Sequence, residues 1–539
     1  MGTLDRALAD LWDEQGRTAF LVTVHPDVAV RTAAQAARGR IESWRRDLPL
    51  RDDIARAVAR YAASADAAGL HGEERRLLEH WRRDLRRAGH DLPAARRGEV
   101  RALAAREVEL EGAFLRNVDE WQAGIDVTPA ELAGMPEQYP AGLRPGSTPG
   151  TLRVTLDVPD VWPLLEGSPR RELRESLLRL WHSRAAAANR PILEELLDVR
   201  RRHATLLGYP SWAHYRIEPK MAATPERVDA LHASVVPGLR DLAAREYAAM
   251  VELLQRDTGD TALQRWDWYY YRERIFAARR GADPGEVSAY LPLDAVLQGL
   301  LGLALEVFGV RCTELPEAAA WDDEVRLFEV TDAAHGTLLG WWYADLHPRE
   351  GKSSGAVVWA LSMALRGRDG GRRPGIAALL VNVPGSTDGS PPGLRHDDVE
   401  TLFHEFGHVL HVVLGTSGYQ GLSTLGLEQD FPEAISQVME NWAWEPDGAF
   451  WPAGFVHIAE FYDAGYYGYL WSRAYGDDFW SRFARAGIVN PTVGREYRAE
   501  ILQPAATRDA ESLVEAFLGR PFSSRAFLER AGLAGPASG

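Results

Sequence analysis

His404, Glu405 and His408 are the residues whose types and spacing speak most directly of chemistry. They form a His-Glu-x-x-His pattern. Two imidazoles four positions apart share one face of an α-helix and can grip a single ion. Glu405 sits a step further around, within reach of a water that such an ion would hold. Two histidines and a glutamate at these positions should arise by chance roughly 0.03 times in a chain of this composition, so the match is informative. A catalytic zinc needs a third protein ligand and one open position. Glu428, Glu433 and Glu440 are the candidates downstream, and spacing alone does not choose among them. Further on lie His457 and three tyrosines, Tyr462, Tyr466 and Tyr469, spaced four and three apart. Core packing is the usual reason for such an aromatic stripe. The functional reading is that phenol and imidazole donors converge on an oxyanion.

Helices must position these groups. At 100° per residue, Val399, Leu402, Phe403, Phe406, Leu410 and Val413 make one apolar stripe. His404 and His408 fall on the opposite side, with Glu400 and His411 beside them. In the next helix Phe431, Ile435, Val438, Met439 and Trp442 form the apolar stripe, while Glu433, Gln437 and Glu440 face the other way. Asp430 is expected to cap that helix and Pro432 to occupy its first turn. Just upstream are two β-rich pairs, residues 325–330 with 338–346 and residues 356–360 with 376–383.

Elsewhere helical periodicity dominates. Residues 1–132 are rich in Ala, Leu, Arg and Glu, with Leu77, Leu78, Trp81 and Leu85 at helical spacing. Glycine and proline cluster over 134–150, which marks an expected boundary between an N-terminal helical region, 1–150, and a catalytic region, 151–539. Residues 151–158 alternate like a strand, and long helical patterns run from there to about Val310. The expected fold class is mainly α with one small β region beside the chemistry.

With 539 residues, 46% hydrophobic and 26% charged, the chain reads as an ordinary globular protein. Its 61 basic and 77 acidic residues leave a net charge of −16, which argues against nucleic acid or an anionic membrane as partner. Of the basic residues only Lys220 and Lys352 are lysines. The eight arginines within residues 81–106 are interleaved with acids, as on a solvated helix face. A single cysteine, Cys312, excludes an internal disulfide or thiolate cluster. No apolar run reaches membrane-spanning length, and the first residues lack the apolar core of a signal peptide. A cytoplasmic location is expected.

The motifs together resemble the thimet oligopeptidase and oligopeptidase F family of zinc metallopeptidases. Phe-His-Glu-Phe-Gly-His-Val-Leu-His at 403–411 carries the resemblance, with Asp-Phe-Pro-Glu-Ala-Ile-Ser-Gln-Val-Met-Glu-Asn-Trp at 430–442. Similar segments lie at 462–472, 345–352 and 189–221, so the likeness covers roughly 150–539. It departs at Pro432 and Ile435, and at Glu460 and Phe461 where relatives often have glycines.

The resemblance implies a prolate, two-lobed helical fold with a deep channel, and one Zn2+ per chain held by His404, His408 and Glu433. It gives Glu405 the role of general base and assigns His457 and Tyr466 to the transition state. Tyr462 and Tyr469 go to the substrate. It implies short unfolded peptides as substrates. A monomer is expected. A dedicated peptide-tailoring or non-hydrolytic biosynthetic enzyme on the same scaffold is the alternative.

Overall fold

The structure, a computed structural model, describes residues 2–280, 287–316, 318–367, 370–383, 393–443 and 464–533. Helices dominate it. The N-terminal part is built from Gly2–Val24, Val28–Asp47, Asp52–Ala62, Ala65–Ala68, Gly72–Arg87 and Ala94–Asp119. Leu77, Leu78 and Leu85 are buried there as their spacing requires, with Trp81 packed beside them.

Helicity stops earlier than periodicity suggests. Strand β1, Gly124–Val127, pairs antiparallel with β3, Leu152–Thr155, which also pairs with the short β2, Arg144–Pro145. This small sheet spans the Gly/Pro-rich segment. The strand expected over 151–158 ends at Thr155, because the chain bends at Leu156 and Asp157 into the helix Val158–Gly167, which has proline in its first turn.

The second sheet supports the site. Its strands are β4, Val310–Glu314; β5, Arg326–Asp332; β6, Leu338–Asp345; β7, Val357–Ser362; and β10, Gly375–Leu380. A short hairpin of β8, Leu365–Arg366, and β9, Arg372–Arg373, lies between the last two. The order is β4-β5-β6-β10-β7, with β10 parallel to β6 and antiparallel to β7.

Side chains alternate across this sheet with the period of two that a pleated strand imposes. Trp342, Ala344, Ala377 and Leu379 point into the main core, whereas Tyr343, Ala378 and Leu380 point to the opposite face. Phe20 and Val24 of the first helix cover that opposite face, so both sides of the sheet are buried. On the main-core side Trp342 stacks on Phe328, ring centroids 4.6 Å apart, and meets Phe406 edge-on at 5.4 Å. Phe406 lies between the two motif histidines, so this aromatic contact seats their helix on the sheet. Among the described residues no helix is long and apolar enough to cross a membrane.

Candidate metal centre

Three helices build the centre. The first, His396–Leu414, carries the His-Glu-x-x-His pattern and opens with a capping box between Arg395 and Asp398. Its whole expected stripe is buried: Val399, Leu402, Phe403, Phe406, Leu410 and Val413. The second is Pro432–Ala443, with Pro432 in its first turn as expected. The third is Tyr467–Ala486.

Close approach of the first two helices depends on Gly407. A Cβ there would stand 2.8 Å from the Ser436 Cα and 3.2 Å from the Ile435 carbonyl. Ile435 and Ser436 flank that contact fully buried, so the helices meet backbone to backbone.

This proximity delivers Glu433 to the histidines. Its Oε2 lies 3.3 Å from His404 Nε2 and 3.4 Å from His408 Nε2. His404, His408 and Glu433 each offer a ligand atom, all within 4.8 Å of one another. Ser436 Oγ donates to Glu433 Oε2 at 3.2 Å and restrains the carboxylate. The remaining candidates are engaged elsewhere. Glu428 pairs with Arg76 at 3.1 Å. Glu440 Oε1 accepts from His404 Nδ1 at 2.8 Å, and its Oε2 accepts from Arg473. Two imidazole nitrogens and one carboxylate oxygen are a donor set suited to zinc.

The electrostatics favour a cation. Burial pulls the His404 pKa down, but the adjoining carboxylates of Glu433 and Glu440 outweigh it and push it up to about 10. Glu433 is buried as well, yet the two imidazoles hold it well below the usual carboxylate range. Glu440 is likewise kept below that range, burial being outweighed by His404 and Arg473. Glu405 differs: burial raises its pKa, only partly offset by the nearby imidazoles. Its Oε2 is buried with no hydrogen-bond partner among the described residues. An orphaned carboxylate oxygen beside a metal-ligand cluster is a costly feature, and one that a reacting water would satisfy. His411, one turn after His408 on the same helix, is buried, and burial together with the neighbouring His408 pushes it down to about 3.

Tyr466 ends the turn before the third helix, and its ring meets that of Tyr469 edge-on, centroids 5.6 Å apart. His457 and Tyr462 lie outside the described residues, as do Glu460 and Phe461.

Asp430 departs from its expected role. Rather than capping its own helix, its carboxylate accepts from the backbone N–H groups of Met221 and Ala222 at 2.7 and 2.9 Å. It also accepts from the Tyr467 hydroxyl at 2.8 Å. Asp430 thus ties the ligand-bearing helix, the aromatic helix and the segment around Lys220 into one joint. Tyr467 and Arg473 escaped sequence reasoning, because neither belongs to a local metal or acid–base spacing. Gly407 could have been found as a small residue at the helix contact.

A histidine pair on one helix, closed by a carboxylate from the next and resting on a small sheet in a mainly helical chain, defines a zinc metallopeptidase. The chain belongs to peptidase family M3, whose family model matches residues 164–450 and 446–533. Oligopeptidase A of Salmonella typhimurium is 28% identical to it over 601 aligned positions, covering 92% of this chain and 88% of that one. A probable thimet oligopeptidase of Arabidopsis thaliana is 29% identical over 426, covering 79% of this chain; the match spans 60% of that relative's length. In fold, the chain is similar to Pyrococcus furiosus carboxypeptidase, with a TM-score of 0.51 over 98% of this chain and 97% of that one at 10% identity.

Proposed function

We propose that the protein is a one-zinc oligopeptidase that hydrolyses internal or near-terminal bonds of short unfolded peptides. The observation that carries this reading is the placement of Glu433 Oε2 almost equally far from His404 Nε2 and His408 Nε2, beside the unpartnered Glu405 oxygen. Zinc held by His404, His408 and Glu433 would supply Lewis acidity to a water and to the scissile carbonyl. Glu405 takes a proton from the attacking water and passes it to the leaving amine nitrogen. Tyr466, and His457 by family resemblance, donate to the carbonyl oxygen as it gains charge. Tyr462 and Tyr469 line the bound peptide.

Residues 1–150 act as a supporting region for residues 151–539. Asp5 accepts from the N–H groups of Gln420 and Gly421, at 2.7 and 2.8 Å, and Glu73 accepts from that of Gly418 at 2.8 Å. These bonds brace the loop between the two metal-binding helices. The enzyme works as a cytoplasmic monomer on peptides narrow enough for a deep channel. Digestion of a mixed peptide library, read by mass spectrometry with zinc content measured on the same sample, tests the reading. Cleavage of many short peptides and about one zinc per chain is expected. A zinc-loaded protein that leaves the library intact would contradict it.

A further inference from the structure

We infer that Arg473, Asp477 and Arg530 form a charged chain that positions His404 through Glu440, so that the C-terminal helix Arg525–Arg530 helps to set zinc affinity. This rests on the zinc reading above. A histidine binds a metal well only when its other ring nitrogen is held by an acceptor, which fixes both the tautomer and the ring plane. Glu440 is that acceptor for His404, with Oε1 2.8 Å from Nδ1. The hydrogen bond leaves the Nε2 lone pair directed at the cluster.

Glu440 is itself buried and needs a countercharge. Arg473 supplies it by donating to Oε2. Without that guanidinium the carboxylate is free to swing towards the ion or to take a proton, and either change releases the His404 ring. Glu400, one turn before His404, also bears on Glu440 and on the charge of Arg473, so the arginine sits among three carboxylates.

Arg473 is oriented in turn by Asp477, one turn along the same helix, whose Oδ1 lies 3.6 Å from its Nε. Asp477 is buried, and Arg530 Nη1 reaches the same Oδ1 at 3.2 Å. The chain therefore runs from the C-terminal helix to the metal through alternating charges, each needed to compensate the next.

Arg530 can be removed without undocking its helix. Phe522 stacks on Tyr475 with centroids 3.8 Å apart, Arg520 pairs with Asp478, and Phe527 and Leu528 pack on the core.

The test is zinc affinity, measured by competition with a chromophoric chelator, alongside the melting temperature of the zinc-free protein. Arg473→Met should raise the zinc Kd about 10–100-fold, as loss of an outer partner of a metal-binding histidine does. Arg530→Met should raise it several-fold with little change in the zinc-free melting temperature, and Arg530→Lys should restore it. In a Glu440→Gln background, Arg530→Met should add nothing, because its route to His404 is already cut. An unchanged Kd in Arg530→Met, or an equal loss in both backgrounds, would overturn the chain. Failure of the wild-type protein to bind zinc or cleave peptides would instead overturn the functional proposal.

Discussion

Glu433 and Glu440 lie seven positions apart on one helix face, and both reach His404. One meets Nε2 together with His408, whereas the other meets Nδ1. Spacing alone does not give that division, because a seven-residue interval brings both carboxylates to the same side; only the family resemblance singles out Glu433. In geometry the two roles separate only when the neighbouring helix is placed. Glu433→Gln should therefore abolish zinc retention, while Glu440→Gln should weaken it more modestly; metal content after dialysis decides this, and equal losses would mean the ligand is misassigned. For Tyr466, loss of the hydroxyl in Tyr466→Phe should lower kcat by roughly 10²–10³ with a much smaller change in KM, if it donates to the developing oxyanion. A kcat within threefold of wild type would return this tyrosine to packing against Tyr469.

At the scale of elements, the first two site helices work because Gly407 lets them touch. Gly407→Ala must push the Ser436 backbone away or lean on Met439, and overpacking of this kind costs about 1–3 kcal/mol. We expect a lower melting temperature together with impaired zinc binding, since the same displacement moves Glu433. Unchanged values for both would show that the contact can give. A second element-scale device braces the end of β6. Lys352 Nζ donates to the carbonyls of Asp345, His347 and Val381 at 2.9, 2.8 and 2.6 Å, and lies 2.8 Å from Asp345 Oδ1. A compact ammonium reaches all of these acceptors at once, a geometry that a planar guanidinium reproduces poorly. Burial opposes charge on Asp345, but hydrogen bonds from Arg349, Lys352 and Trp321 outweigh it and hold its pKa below 3.8. Its folded pKa is thus below the unfolded one. The stability it contributes is complete above the unfolded value and fades as pH falls through the folded value. Asp345→Asn should be less stable than wild type at pH 7, with the gap narrowing below about pH 4. Denaturant midpoints across that range check this, and a constant gap would argue against it.

Across the whole molecule, local features were legible and long-range ones were not. The His-Glu-x-x-His helix and its apolar stripe could be read because their periodicity is set within a few turns. The two β-rich pairs were visible for the same reason. The insertion of β10 between β6 and β7, parallel to β6, was not, because strand order depends on partners far apart in sequence. Nor could Asp430 be read as a joint to Met221 and Ala222, roughly two hundred positions upstream. The N-terminal helices likewise read only as helices; their contribution to the loop before Glu433 rests on single side chains such as Asp5. All these scales meet at Glu405, which we propose stands beside a metal it does not bind, as the base of a hydrolytic enzyme. Zinc content and peptide turnover measured together on Glu405→Gln test it most directly. Zinc retained at the wild-type level with nearly all peptide cleavage lost is the expected result. Wild-type turnover in that variant would contradict it.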